Sequence, residues 1–263
     1  MDLGLADRAA IVTGASRGIG RHVALGLAAE GCHVLLCARD PAALAVVVGE
    51  IEAAGGAAAA MAVDVTASAA TEVVVERCLS TFGRLDVLVN NAGGAEPQRL
   101  EQVTDDDWRA GFELNFLAAA RLAVACAPVM RAAGWGRMVH VASTYGREPD
   151  PLFAPYSAAK AALLNLSTSL SKAFSADGVL SNCVVPGVTI TELVRDNAAT
   201  TAARTGSDPE TVMARLLAKQ GVAAGRFGRP EEVAAAAVFL ASEQAGWITG
   251  ATLEVDGGTL RAT

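Results

Sequence analysis

Short apolar runs alternate with longer stretches of helical periodicity along this chain. The apolar runs predict strands at Ala9–Thr13, 33–37, 59–63, Val87–Asn90, 137–142, 180–185 and Thr252–Val255. Most of these runs are continuously apolar rather than alternating, as expected for strands that are buried on both faces of a sheet. The intervening stretches predict helices at 18–30, 41–54, 68–82, 105–133, 155–174 and Pro230–Ala241.

This alternation of strands and helices determines the expected fold class. Parallel strands joined by helical crossovers form an α/β, Rossmann-type doubly wound parallel sheet flanked by helices. No linker or internal repeat divides residues 1–263, so we expect a single domain. Ligands of such sheets bind beyond the carboxyl ends of the strands.

One segment, 187–225, departs from the pattern. It is polar and rich in Ala and Thr, with a helical pattern at 209–218. It is too long for an ordinary connection, which predicts a substrate-binding lid. A surface excursion without function is the alternative.

Composition narrows the class of protein. The chain is 52% hydrophobic with a net charge of −7, so it can build a core but lacks the basic face that nucleic acid requires. Its apolar runs fall short of the ~18 residues of a membrane span, and its acidic N-terminus does not resemble a secretory signal. Five cysteines without a Cys-x-x-Cys pair predict reduced thiols and a cytoplasmic location. Three scattered histidines predict no metal site.

A glycine-rich loop follows the first predicted strand. Gly14, Gly18 and Gly20 lie where the strand ends and the first helix begins. Glycines there allow a sharp turn and let backbone N–H groups approach a pyrophosphate at the helix N-terminus. The strand before and the helix after strengthen this interpretation over a purely structural turn.

A second group of residues has the composition of a carbonyl-reducing site. Tyr156 and Lys160 are four residues apart at a predicted helix start, which places them on one helix face. Carbonyl reduction needs a proton donor, alcohol oxidation needs a base, and a nearby ammonium group can lower the pKa of a phenol toward neutrality. Ser143 ends the fifth predicted strand, so its hydroxyl can reach the same edge and bind the substrate oxygen.

These motifs together resemble the short-chain dehydrogenase/reductase family, and in particular its 3-oxoacyl-[acyl-carrier-protein] reductase-like members. The resemblance covers essentially the whole chain. It includes the Thr-Gly-x-x-x-Gly-x-Gly loop at 13–20, the Asn-Asn-Ala-Gly element at 90–93 and the Pro-Gly-x-x-x-Thr element at 186–191. The segments at 228–233 and 250–258 also match the family pattern.

The resemblance implies a function for particular residues. It makes Asn115 a fourth catalytic residue beside Ser143, Tyr156 and Lys160, holding a water in a proton relay; a hydrogen-bonded core amide is the alternative. It makes Asp64 an adenine contact and the 186–191 element the receiver of the nicotinamide carboxamide. The expected cofactor-binding set is Gly14, Ser16, Arg17, Gly18, Ile19, Gly20, Arg39, Asp64, Val65, Asn91, Ala92, Gly93, Tyr156, Lys160, Pro186, Gly187, Thr189 and Thr191.

Arg39 and Asp40, just past the second predicted strand, bear on the choice of cofactor. A carboxylate there would bind the ribose hydroxyl of NAD, whereas Arg39 together with Arg17 would suit the extra phosphate of NADP. We therefore predict NADP(H). NAD(H) is the alternative if Asp40 turns inward, and either arginine could instead be ordinary surface charge.

The predicted activity is an NADP(H)-dependent interconversion of a ketone and a secondary alcohol, acting as a ketoreductase on a small carbonyl, 3-oxoacyl or polyketide-like substrate. The alternatives are an NAD-dependent alcohol or sterol dehydrogenase and a non-catalytic dinucleotide sensor. Thr144, Tyr145, Arg147 and Glu148 are candidates to line the substrate pocket, although the last two could form a surface pair. Two long helices, 105–133 and 155–174, are apolar on more than one face, which indicates subunit association. The family resemblance implies a homotetramer, with a dimer as the alternative.

Overall fold

The computed structural model describes residues 2–260. Its centre is one parallel sheet of seven strands in the order β3-β2-β1-β4-β5-β6-β7. This confirms the predicted α/β doubly wound fold. The strands are β1 (Ala9–Thr13), β2 (His33–Ala38), β3 (Ala57–Ala62), β4 (Val87–Asn90), β5 (Gly136–Val141), β6 (Val179–Pro186) and β7 (Thr252–Val255).

Nine α-helices are described around this sheet. They are α1 (Gly18–Ala29), α2 (Pro41–Ala53), α3 (Ala70–Phe82), α4 (Asp105–Phe112), α5 (Ala118–Ala132), α6 (Ala154–Phe174), α7 (Glu192–Thr205), α8 (Pro209–Gln220) and α9 (Pro230–Ala241). A π-helical turn, Glu113–Leu117, joins α4 to α5.

The helices cover both faces of the sheet. Buried residues of α1, α2 and α9 form one core cluster and those of α3, α5 and α6 another. Successive residues of β1 alternate between the two: Ala10 and Val12 belong to the first, Ala9 and Ile11 to the second. Both faces of the central strands are therefore apolar, which is why they lack a polar-apolar alternation.

The observed elements differ most clearly from the predicted ones in three places. β3 begins two residues earlier than predicted, in an alanine-rich edge strand that carries little apolar signal. The predicted helix 105–133 is interrupted by the π turn. Helix α7 was not predicted because its sequence is rich in Thr and Ala; Thr191 caps its start and Gly206, at φ 65°, ends it.

The helical run Asp105–Ala132 is long and apolar enough, by length and composition, to cross a membrane. Its buried side chains Leu122, Cys126 and Met130 pack in the second core cluster. The apolar character of this run thus has an explanation within the fold.

Candidate active site

The glycine loop between β1 and α1 has the geometry that its sequence predicts. Gly14 and Gly18 have φ angles of 64° and 55°, in the left-handed region that favours glycine. A Cβ on Gly20 would lie 2.3 Å from the Gly14 carbonyl oxygen. Gly20 therefore lets the first helical turn pack on the loop.

The loop is fixed to the neighbouring strand β4. Thr13 Oγ1 accepts hydrogen bonds from the backbone N–H groups of Asn91 and Ala92, both at 3.0 Å. The Asn91 amide donates to the carbonyls of Thr13 and Gly14 at 2.9 and 3.2 Å. The Asn-Asn-Ala-Gly element thus holds the glycine loop in place.

A cleft of about 1090 Å³ lies at the carboxyl ends of the strands. Of the predicted site residues, Gly20 and Asn115 are not among those that line it. The others all contribute to its wall: Gly14, Ser16, Arg17, Gly18, Ile19, Arg39, Asp64, Val65, Asn91, Ala92, Gly93, Ser143, Tyr156, Lys160, Pro186, Gly187, Thr189 and Thr191. The topology therefore brings together residues that span most of the chain.

Ser143, Tyr156 and Lys160 meet at one end of this cleft. Ser143 follows β5 and its Oγ accepts a hydrogen bond from the Tyr145 backbone N–H at 3.2 Å. Lys160 is buried, and its Nζ donates to the Val141 carbonyl at 2.7 Å. The same Nζ lies 5.6 Å from the centroid of the Tyr156 ring.

Burial determines the protonation of this group. Desolvation raises the pKa of Tyr156, and a hydrogen bond with Ser143 opposes that rise. Burial also lowers the pKa of Lys160, to about 8. Burial outweighs the hydrogen bond with Ser143 at the phenol, so at neutral pH Tyr156 holds its proton.

Asn115 lies behind the cleft in the π turn between α4 and α5. Its Oδ1 accepts from the Gly94 N–H, and its Nδ2 donates to the carbonyls of Gly94 and Gly111, all at 3.0 Å. A Cβ on Gly93 would lie 2.7 Å from Asn115 Oδ1 and 3.3 Å from Lys160 Nζ. Asn115 therefore supports the 93–94 backbone against which Lys160 packs, and π turns are frequent at functional sites.

The two residues that follow β2, Arg39 and Asp40, have different surroundings. The Asp40 carboxylate accepts from the backbone N–H groups of Ala42 and Ala43, at 2.9 and 3.2 Å, and so caps α2. Arg39 is exposed and lines the cleft. Hydrogen bonds from Thr66 hold the pKa of Asp64 below its usual value, and the charge of Arg39 adds to that effect.

Sequence analysis missed two acidic residues of α7 that contact the glycine loop. Glu192 Oε2 accepts a hydrogen bond from the Gly18 N–H at 3.0 Å. Asp196 Oδ2 lies 3.6 Å from Arg17 Nη1. Their i, i+4 spacing was a usable signal only once 192–205 was known to be a helix.

The loop after β5 also differs in part from expectation. Thr144 and Tyr145 line the cleft, as predicted. Arg147 instead forms an ion pair with Glu254 at 3.0 Å and a hydrogen bond with Thr252. Arg147 thus contacts β7, and it is not among the residues that line the cleft.

The fold and the site define a class of protein: a Rossmann-type oxidoreductase that uses a nicotinamide dinucleotide. The family model for short chain dehydrogenases matches residues 8–202. The chain belongs to this short-chain dehydrogenase/reductase family, as its motifs predicted.

Three proteins show how far the similarity extends. The 3-oxoacyl-[acyl-carrier-protein] reductase of Synechocystis sp. is 36% identical over 256 residues, 97% of each chain. The cis-4-hydroxycyclohexanecarboxylate dehydrogenase of Sinomonas cyclohexanicum is 38% identical over 96% of each chain. The crystal structure of L-sorbose reductase from Gluconobacter frateurii, complexed with NADPH and L-sorbose, has a TM-score of 0.95 and 34% identity over both whole chains.

Proposed function

We propose that this protein is an NADP(H)-dependent ketoreductase that interconverts a small ketone and its secondary alcohol. The observation that carries the proposal is the convergence of Ser143, Tyr156 and Lys160 on a cleft that the glycine loop also lines. The loop fits a dinucleotide phosphate, because the Gly18 N–H already binds an anionic oxygen, that of Glu192. When bound, the nicotinamide supplies the hydride.

Each catalytic side chain has a distinct part in the proposed reaction. The Ser143 hydroxyl binds and orients the carbonyl oxygen of the substrate. Tyr156 donates its phenolic proton to that oxygen as the alcohol forms. Lys160 holds a positive charge beside the phenol, and Asn115 keeps the backbone behind Lys160 in place. Because burial raises the pKa of Tyr156, the site holds the proton that reduction requires.

The preference for NADP(H) over NAD(H) rests on the surroundings of β2. Asp40, the residue that could favour NAD, is committed to capping α2. Arg39 lines the cleft, and Arg17 lines it from the glycine loop. Two guanidinium groups at this end suit the additional phosphate of NADP.

Fluorescence titration of the purified protein with NADPH and NADH tests the cofactor proposal. We expect at least ~10-fold tighter binding of NADPH, and loss of that preference in Arg17→Ala/Arg39→Ala, because two charge-assisted contacts disappear. Arg77→Ala, which removes an exposed arginine of α3 that does not line the cleft, is the control. Equal or tighter binding of NADH would instead support an NAD-dependent alcohol dehydrogenase.

The proposal extends to the assembly and location of the protein. We propose a homotetramer in the cytoplasm, with segment 187–225 closing over a small-molecule substrate. Exposed apolar side chains support association: Trp247 is 99% exposed and Val124 59% exposed. Light scattering on the purified protein tests the tetramer, and a monomer at micromolar concentration would contradict it.

A further inference from the structure

An aromatic wall borders the catalytic end of the cleft. The ring of Tyr145 stacks on Phe153, with centroids 5.3 Å apart, and meets the ring of Tyr156 edge-on at 6.4 Å. Gln220 Nε2, at the end of α8, donates to the Tyr145 hydroxyl at 2.8 Å. Gln220, from segment 187–225, thus holds the aromatic wall in place, and the Tyr145 hydroxyl is already hydrogen-bonded.

Helices α7 and α8 supply the side of the cleft away from the sheet. Val212, Leu216 and Gln220 are spaced four residues apart, so one face of α8 lines the cleft. Val194 and Ala198 line it from α7, beside the uncharged polar side chains of Asn197 and Thr201. On α8, Val212 and Leu216 offer a substrate only apolar surface.

The cationic side chains that line the cleft lie away from the position of a substrate's body. Among the described residues that line it, the cations are Arg17, Arg39 and Lys160. Arg17 and Arg39 lie at the end of the glycine loop and β2, and Lys160 is buried with its Nζ bonded to the Val141 carbonyl. None of the three is placed to neutralise a charged group on the body of a substrate.

Cations just outside the catalytic end are paired with acids. Lys219 contacts Asp150 at 2.6 Å, and Arg147 contacts Glu254 at 3.0 Å. Arg121 Nη2 donates to Glu113 at 3.1 Å, and Glu113 itself lines the cleft. An anionic substrate would therefore lose its hydration without gaining a cationic partner.

We infer that this site takes electrically neutral ketones with a predominantly apolar body. The inference rests on the proposed function and names the substrate class of the same site. It separates this chain from the Sinomonas relative, whose named substrate carries a carboxylate. It also makes Tyr145 and the cleft-facing side of α8 the elements that determine specificity.

Two matched pairs of ketones test the substrate class. The first is ethyl 4-oxocyclohexanecarboxylate and free 4-oxocyclohexanecarboxylate, and the second is ethyl acetoacetate and free acetoacetate. Within each pair the ketone is kept and the charge changes. With NADPH at saturation, we expect kcat/KM for the ester to exceed that for the acid by about 100-fold or more, because the anion is desolvated without a partner.

A charge placed on α8 tests whether this face determines the selectivity. Leu216→Arg puts a guanidinium in the cleft and should lower the ester-to-acid ratio by at least ~10-fold, through a charge-assisted contact with the carboxylate. Ala214→Arg puts the same group on an exposed position of α8 outside the cleft and should leave the ratio unchanged. NADPH affinity, measured for each variant, shows that the cofactor site is intact.

The outcomes separate the two proposals. Preference for the ester in the wild type, reduced by Leu216→Arg alone, supports the substrate class. Equal or faster turnover of the acids overturns the substrate class and leaves the ketoreductase function standing. No turnover of any of the four ketones by protein that binds NADPH overturns both.

Discussion

Replacement of Lys160 by methionine is expected to make the protein more stable at neutral pH while it abolishes catalysis. Lys160 is only 3% exposed, and burial lowers its pKa from 10.5 to about 8. The folded state therefore resists the charged form of this side chain. Methionine has a similar length and carries no charge.

The size of the effect follows from linkage. Each unit of pKa difference corresponds to about 1.4 kcal/mol, so the charged Lys160 costs the folded state about 3 kcal/mol below pH 8. Methionine removes that cost but also loses the hydrogen bond to the Val141 carbonyl, about 1 kcal/mol. The net gain is about 2 kcal/mol at pH 7, or roughly 4–8 °C in Tm for a chain of this size.

The stability difference between the wild type and Lys160→Met should change sign with pH. Between pH 8 and 10.5 the unfolded chain holds the Lys160 proton and the folded protein releases it, so wild-type stability rises with pH through that window. The methionine variant lacks this gain. Its advantage of about 2 kcal/mol at pH 7 should become a deficit of about 1 kcal/mol above pH 10.5.

Urea unfolding at pH 7 and pH 10.5, followed by tryptophan fluorescence, measures both values. Lys172→Met, on an exposed position of the same helix α6, is the matched control; its unfolding free energy should stay within about 0.5 kcal/mol of wild type at both pH values. A Lys160→Met protein that is less stable than wild type at pH 7 would refute the reasoning. So would a difference that does not change with pH.

Two further substitutions probe the cleft. Gly93→Ala should lower kcat about 100-fold or more, because its Cβ would lie 2.7 Å from Asn115 Oδ1 and displace the support of Lys160. Ketone reduction measures this, with Gly94→Ala, where a Cβ meets nothing within 4 Å, as the control; equal activities would contradict it. Glu192→Gln should tighten NADPH binding about 5-fold, because a carboxylate then no longer competes for the Gly18 N–H. Fluorescence titration against Glu210→Gln checks this, and unchanged or weaker binding would contradict it.

The sequence predicted a feature well where that feature depends on the residues of a single strand, turn or helix. Apolar runs predicted all seven strands, and they are continuous in the five central strands because these are buried on both faces of the sheet. Gly14 and Gly18 marked the turn between β1 and α1, since their left-handed φ angles favour glycine. Tyr156 and Lys160 were recognisable as a pair because their i, i+4 spacing is a local property of the helix.

Other features depend on residues that only the fold brings together. No local pattern shows that Glu192 reaches Gly18, 174 positions away along the chain, or that Gln220 bonds Tyr145. The role of Asn115 belongs to the same class, since its side-chain amide binds both the N–H and the carbonyl of Gly94, which precedes the helix. Helix α7 was also hard to predict locally, because its Thr- and Ala-rich sequence has little hydrophobic periodicity.

The sequence by itself therefore determined the fold class and the glycine loop, and it singled out the candidate catalytic side chains. Backbone conformation and hydrophobic periodicity are short-range properties that each segment carries in its own residues. The tertiary structure decided which charges are paired, which groups are buried and how their pKa values shift. Desolvation and ion pairing depend on the distances between segments remote in sequence. The direction of the Tyr156 and Lys160 pKa shifts, and the pairing of the cations near the catalytic end of the cleft, could be found only there.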